Sequence, residues 1–481
     1  MIPSTELINK YNVSGPRYTS YPTAIDFTAG SGEAWRLKCV LEALDRKFPS
    51  EQISVRLAGK VKNVHSFLMN GDSSRPYSLY IHIPFCYSLC WYCGCTKVIT
   101  RDPDRGDAYL DDLEKEMRIY GDRVNHSIPV KQIHFGGGTP TFLTPEQLLR
   151  LGSMIGRYFQ LARDVEFSVE IDPRRCDRER IDALRKIGCN RASLGVQDTN
   201  RDVQEAIHRI QPFEETEQVT EWLRDEEIGG INFDLIYGLP RQTATTFART
   251  LDQVMSLDPD RIALYSYAHL PDRLPSQRLL DETELPSPDE KLAMFTTAVH
   301  KLTDEEMSWI GMDHFAKKSD DLAIALENGT LQRNFQGYST HAETDLIGLG
   351  MSGISQFNSI YYQNYKTLDE YEKALEKGNL PVARILPLDT EDRIRRDMIM
   401  QLMCRRRVPF TDFMEKWGLD PAVYFSKELY QLKPLETDGL VRIEPDGIEI
   451  TETGRFFLRN IAMIFDSRLP SVSLGRFSKT V

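Results

Sequence analysis

Four of the chain's eight cysteines, Cys86, Cys90, Cys93 and Cys95, fall within the ten residues Cys86-Tyr-Ser-Leu-Cys90-Trp-Tyr-Cys93-Gly-Cys95. Thiolates are soft ligands for zinc, copper or iron–sulfur clusters. A structural zinc site usually draws on two close cysteine pairs, or on one pair and a distant histidine pair. The other cysteines, Cys39, Cys176, Cys189 and Cys404, are single and scattered, so no second pair exists. Three thiolates at C-x3-C-x2-C spacing can hold three corners of a cubane cluster and leave the fourth iron open to a chelating ligand. The bland alternative is a group of ordinary or disulfide-bonded cysteines, which are rarely packed this closely in an intracellular chain.

A second set of residues could serve a bound ligand. Gly136-Gly-Gly-Thr-Pro140 allows backbone groups to approach it closely; a bare tight turn is the other explanation. Glu170, followed by Asp172-Pro-Arg174, offers carboxylates to an ammonium group or to ribose hydroxyls, or else a structural salt bridge. Gln197 and Asp198 follow, and Arg209 is placed on the next helix, where a solvated role is the ordinary one. Asp234 sits inside an apolar run, and burying a carboxylate there is costly unless it is bonded. Tyr265-Ser-Tyr-Ala-His-Leu-Pro271 closes the set.

The elements that must position these residues alternate from 77 to about 270. Strand-like runs at 79–83, 132–135, 166–171, 191–196, 231–236 and 262–267 are separated by helical patterns such as 108–117 and 145–154. Short buried strands alternating with helices pair in parallel. Six such units predict an α/β fold built on a partial (β/α)6 barrel, whose site lies at the C-terminal ends of the strands. The chemistry-bearing residues fall at or near those ends.

Around this core the expected division is 1–76, an N-terminal arm and extra segment; 77–385, the barrel with an extension; and 386–481, a mostly helical, winged-helix-like domain. The arm, 11–23, is rich in tyrosine and broken by Gly15, Pro16 and Pro22, and reads as a strap or a lid. A helix is expected over 34–45 and a loop over 70–76. Residues 311–315 and 333–338 read as short polar and aromatic loops, and 345–354 as a glycine-rich apolar stretch with the wrong spacing for a dinucleotide-binding motif. Helices near 392–403, 411–417 and 421–434 precede a hairpin about Asp446-Gly447. Arg405-Arg-Arg407 reads as a solvated face or a substrate-side contact.

The 481 residues carry a net charge of -12, which argues against nonspecific nucleic-acid binding and against a DNA-binding role for the winged end. No apolar run is long enough to cross a membrane, and residues 1–10 show no signal-peptide pattern, so a cytoplasmic location is expected.

With the C-x3-C-x2-C loop just after the first strand, the sequence resembles the radical SAM superfamily. Within it, the segments 11–24, 79–100, 134–143, 168–174, 193–198, 232–240, 267–271, 311–316, 333–338 and 459–466 resemble the bacterial oxygen-independent coproporphyrinogen III oxidases of haem biosynthesis. Related haem-trafficking proteins usually end the loop in an aromatic residue; here it ends Cys93-Gly-Cys95, as in the oxidases. A haem-binding or haem-delivery protein on the same scaffold is the second reading. The resemblance implies that Cys86, Cys90 and Cys93 ligate a [4Fe–4S] cluster, and that Cys95 is not a ligand yet is needed for activity. It implies two molecules of S-adenosylmethionine. The cluster-bound one meets Tyr80, Gly137, Glu170 and Ile354; the second meets Tyr92, Gly138, Thr139, Gln197, Arg209, Asp234 and Ala268. The substrate implied is coproporphyrinogen III, with Arg17 the candidate contact for its carboxylates. A 5′-deoxyadenosyl radical would take hydrogen from the β-carbon of a propionate, and loss of carbon dioxide and an electron would leave a vinyl group, twice over. A one-electron donor of flavodoxin or ferredoxin type and a monomeric state are also implied. One departure stands out: between Phe27 and Tyr77 the chain is longer than expected for the family.

Overall fold

The computed structural model describes residues 3–30, 32–44, 75–341, 344–357, 359–469 and 477–480. The extra length expected between Phe27 and Tyr77, and the loop expected over 70–76, fall largely on 45–74, outside the described residues.

Six strands run in parallel and in sequential order: β1 (Tyr77–Ile83), β2 (Val130–Gly137), β3 (Leu161–Ile171), β4 (Arg191–Gln197), β5 (Gly230–Tyr237) and β6 (Arg261–Ser266). Their pairing is continuous from β1 to β6. β1 and β6 do not pair with each other, so the barrel is partial, as expected. Helices such as Asp104–Gly121, Pro145–Tyr158 and Ala244–Ser256 cover the outside. Two of these begin where the sequence signals it: Thr144 and Thr243 accept from backbone N–H groups one turn on, and Pro145 occupies a first-turn position where no N–H is needed.

The strands alternate between two faces. Leu79, Ile81 and Ile83 of β1 are fully buried with Ile133, Phe135, Phe167, Val169, Leu113 and Leu148 in the main apolar core. The intervening residues Tyr80, His82, His134, Ser168, Glu170, Ser193, Asn232 and Asp234 bond to one another on the other face. The barrel interior is therefore a polar network rather than an apolar plug.

The sheet extends beyond the six units. The glycine-rich stretch forms the strand Asp345–Leu349, which pairs in parallel with β1, and Ile354–Phe357, Ile360–Asn364 and Val382–Pro387 continue from it antiparallel. On the far edge, His314–Lys317 pairs with β6 and with Met307–Gly311. The expected loops at 311–315 and 333–338 are thus hairpins: the first turns between those two strands, the second between Gln332–Asn334 and Gly337–Ser339.

The C-terminal part has its own core, with Ile394, Met398 and Leu402 of the helix Thr390–Cys404 packed among Phe413, Val408, Leu440 and Ile448. Val441–Glu444 and Gly447–Ile450 form the expected hairpin, joined by Arg407–Pro409. Arg405, Arg406 and Arg407 pair with Asp412, Glu452 and Asp446, which makes this run a salt-bridged surface. The N-terminal arm is a strap on this part. Tyr18 and Tyr21 are buried in its core and donate or share hydrogen bonds with Asp466 and Ser467, while the Arg459 guanidinium binds the carbonyls of Gly15 and Pro16.

Candidate active site

The cysteine loop leaves the C-terminal end of β1. Phe85–Cys86 pairs in parallel with Val98–Ile99, which clamps the loop at its neck. Trp91 N–H donates to Ile207 O and the Trp91 ring stacks on His208 at 5.1 Å, while His208 bonds Leu89 O. Cys86 and Cys93 are half-buried, Cys90 is buried and Cys95 is exposed. All eight cysteines are free thiols, so the disulfide alternative does not hold.

The donor set fits an iron–sulfur cube. Burial pushes Cys86 up to about 11, and the neighbouring Cys93 and Cys90 add to the shift, so the three sulfurs share one electrostatic neighbourhood. Arg174 Nη2 and Arg209 Nη1 lie 3.5 and 3.6 Å from Cys90 Sγ, and Thr139 Oγ1 lies 3.6 Å from Cys86 Sγ. A hydrogen bond from Cys95 holds Cys93 low, the same contact raises Cys95, and Lys97 Nζ caps the carbonyls of Cys93 and Cys95. Among the described residues no group of three Cys, His, Asp or Glu gathers as a single-ion site.

Beside the loop, Gly138 N–H donates to Ile83 O and Thr139 N–H to Phe85 O, which ties the glycine run to the neck. Gly137 has φ +119°, a conformation that excludes a side chain, and a Cβ there would lie 2.7 Å from the His82 ring. Gly137 N–H and His134 Nε2 each reach Glu170 at 3.2 Å. Burial opposes the Glu170 charge, but the bond and charge of His134 and the Gly137 N–H outweigh it, and the carboxyl stays below its ordinary range. Tyr80 stacks on His134 at 5.8 Å and bonds His82 Nδ1 at 3.0 Å, and His82 Nε2 bonds Thr96 O at 2.9 Å. Burial lowers His82 to about 4, so its ring is neutral and Tyr80 is the donor of that pair. Ile354 joins this side indirectly: its carbonyl backs onto Gly348, the register partner of Tyr80.

On the opposite side, Arg209 grips Asp172 with two contacts of 3.2 Å and donates to Gly195 O at 2.7 Å. It lies beyond the helix Arg201–Ala206, in the following turn, not on the helix as expected. The turn frees the guanidinium to point back into the mouth, where its Nε lacks a partner. Burial penalises the Asp172 charge, but Arg209 and Arg174 overcome this and hold it at about 2. Gln197, at φ +67° on a bulge of β4, and Arg209 both crowd the space over Gly195. Asp234 accepts from Ser193 at 2.9 Å and Asn232 at 2.9 Å; burial, helped by the Glu170 charge, pushes it up to about 7. Gln277 Nε2 donates to Tyr92 O at 3.0 Å and Ala268 O at 3.2 Å, bringing these two together. Arg17 of the arm donates to Ser266 O at the end of β6 and lies 3.8 Å from Asp313.

The structure therefore gathers the expected residues around one mouth. It adds His82, His134 and Asp313, none of which the sequence singled out, and it places Arg174, named only as the end of the Asp172 run, beside Cys90. A polar residue at every second position of β1 to β3 was the available signal for the first two.

Residues 80–254 match the Radical SAM superfamily and residues 388–457 match the HemN C-terminal domain. Fold and match together define a radical SAM enzyme, a class that uses a [4Fe–4S] cluster and S-adenosylmethionine. The chain is 43% identical over 478 residues to the oxygen-independent coproporphyrinogen III oxidase of Pseudomonas aeruginosa, covering 99% of this chain and 98% of that one. It is 42% identical over 477 residues to that of Helicobacter pylori strain J99, covering 99% of each. The solved coproporphyrinogen III oxidase of Escherichia coli, described as a radical SAM enzyme, superposes with TM-score 0.87 at 40% identity, over 97% of this chain and all of that one. The chain belongs to the family of oxygen-independent coproporphyrinogen III oxidases. Among the described residues no helix is long and apolar enough to cross a membrane.

Proposed function

We propose that this chain converts two propionate side chains of coproporphyrinogen III to vinyl groups without oxygen, giving protoporphyrinogen IX for haem synthesis. Full-length similarity to oxidases of this name supports the substrate. The observation that carries the chemistry is the placement of three free thiols at the C-terminal mouth of β1, facing two guanidiniums and beside the carboxylates of Glu170, Asp172 and Asp234.

Cys86, Cys90 and Cys93 hold the cluster. When bound, it would supply the electron for reductive cleavage of S-adenosylmethionine, the chemistry that removes hydrogen at the propionate β-carbon. The cluster-bound S-adenosylmethionine meets Tyr80, Gly137, Glu170 and Ile354. Glu170, kept ionised, faces its ammonium group, and the open Gly137 backbone leaves room for it. A second S-adenosylmethionine meets Tyr92, Gly138, Thr139, Gln197, Arg209, Asp234 and Ala268. Arg209, with an unpartnered buried Nε, has a donor to spare for its carboxylate. Cys95, exposed beside Cys93, serves the reaction without ligating iron. Arg17 binds a substrate carboxylate.

Of the division into 1–76, 77–385 and 386–481, the arm around Arg17 reaches the end of β6, and with the helical domain it keeps water from the radical. The enzyme works as a cytoplasmic monomer with a flavodoxin-like or ferredoxin-like donor. Equilibrium binding to the anaerobically reconstituted protein tests the two-molecule site. Two S-adenosylmethionine molecules per chain are expected, falling to one in Arg209→Ala. One per chain in the parent protein contradicts it.

A further inference from the structure

A second cavity, of about 680 Å³, opens between the barrel extension and the C-terminal helices, away from the cysteine loop. Four arginines line it: Arg75, Arg333, Arg393 and Arg396. Among the described residues none of the four pairs with a carboxylate, in a chain whose net charge is -12. Arg333 is only 8% exposed, yet its Nε and Nη1 have no hydrogen-bond partner, and Arg75 Nε is likewise orphaned. Buried guanidinium donors left unpaired cost free energy, so a fold keeps them where an anion satisfies them. The cavity's own acids do not: Asp397 is taken by Lys416 and Trp417, Asp412 by Arg405, and Glu415 is exposed. Burial, together with the charges of Arg396 and Arg75, lowers Arg393 to about 10, so these cations crowd one another.

Tyr361, in the lining of the cavity, belongs to an apolar cluster that reaches the strand beside Tyr80. Arg396 donates to Tyr361 OH at 3.2 Å, and Phe335 packs edge-on against Tyr361 at 5.5 Å. These rings share an apolar cluster with Ile354, beside the Tyr80 end of the site. An apolar cluster between the Tyr80 side of the site and a set of guanidiniums without carboxylate partners suits a flat apolar ligand with carboxylate arms. We propose that this cavity is the subsite for the carboxylates of the tetrapyrrole that are not reacting, with Arg333, Arg393 and Arg396 as their partners. This deepens the functional reading above and rests on it for the identity of the ligand.

The test is equilibrium binding of coproporphyrin III, the oxidised fluorescent form, to full-length protein. Its readout does not need turnover. Arg393→Gln and Arg396→Gln should weaken binding at least about tenfold, the loss expected for a charge-assisted hydrogen bond. Arg393→Lys should recover part of it, and carries the test should a Gln variant fail to fold. A tetrapyrrole with two propionates rather than four should lose less affinity in the variants. Unchanged affinity in folded variants overturns the proposal. So does loss of inorganic phosphate binding with coproporphyrin affinity intact, which would mark a free-anion site. Should the parent protein bind coproporphyrin through these arginines yet not decarboxylate coproporphyrinogen, the functional reading fails and the subsite stands.

Discussion

Arg209 and Asp172 form a buried two-pronged ion pair across the mouth of the barrel, and the same guanidinium stands 3.6 Å from Cys90 Sγ. One cation thus neutralises a strand-end carboxylate and faces a thiol of the cysteine loop. The pair fixes β3 and the turn after the helix Arg201–Ala206 relative to that loop. Its removal should disturb the stability of the mouth and the thiol together.

Replacing Arg209 with Met should cost about 3 kcal/mol at neutral pH, the scale for breaking one side of a buried pair. Asp172 is held at about 2, below its unfolded value, so its contribution is full above pH 4 and is lost as pH falls through about 2. The penalty of the substitution should therefore be smaller at pH 2 than at pH 7. Denaturant unfolding of the cluster-free protein at the two pH values measures this.

Asp234 carries the opposite sign. Its carboxyl is pushed up to about 7, so the folded state holds a proton that the unfolded state releases near pH 4. The cost of ionising it in place grows as pH rises from about 4 to about 7. Asp234→Asn should lose a constant amount from its altered bonds to Ser193 and Asn232. Relative to the parent it should gain up to roughly 4 kcal/mol between pH 4 and pH 8. Unfolding curves across that range check it.

Gly137→Ala should fold less stably by about 1–2 kcal/mol from its backbone conformation alone. A Cβ there also meets the His82 ring at 2.7 Å and so displaces the Tyr80–His82 pair. Affinity for S-adenosylmethionine should fall at least about tenfold, as read by equilibrium binding.

Cys95→Ser should keep about four irons per chain and the visible charge-transfer absorption of a cubane cluster, while losing turnover. Serine at Cys86, Cys90 or Cys93 should lose the iron itself. Iron content and absorption of the reconstituted variants separate the two classes.

Much of the barrel was legible because its signals are local. Short apolar runs alternate with amphipathic ones, and Gly136–Gly138 and Cys86–Cys95 follow strands directly. The polar interior at His82 and His134 is masked in the sequence because each histidine sits within a short run dominated by apolar residues. Its period-two polar positions belong to the site. The strand Asp345–Leu349 was hidden because its partner, β1, lies far away in the chain, and glycine there masks strand propensity. Arg209 looked like a solvated helix residue; only the three-dimensional turn aims it at Asp172 and Cys90. The contact of Arg17 with Ser266 and Asp313 joins the arm to distant strands, which no local pattern encodes.

The most direct measurement combines reconstituted protein, a reductant, S-adenosylmethionine and coproporphyrinogen III without oxygen, and follows the products by mass spectrometry. A tetrapyrrole lighter by two molecules of carbon dioxide and four hydrogen atoms, formed in step with 5′-deoxyadenosine, is the predicted result. Tight haem binding by protein with an intact cluster, with neither product formed, would contradict the account and mark a haem-delivery protein on the same scaffold.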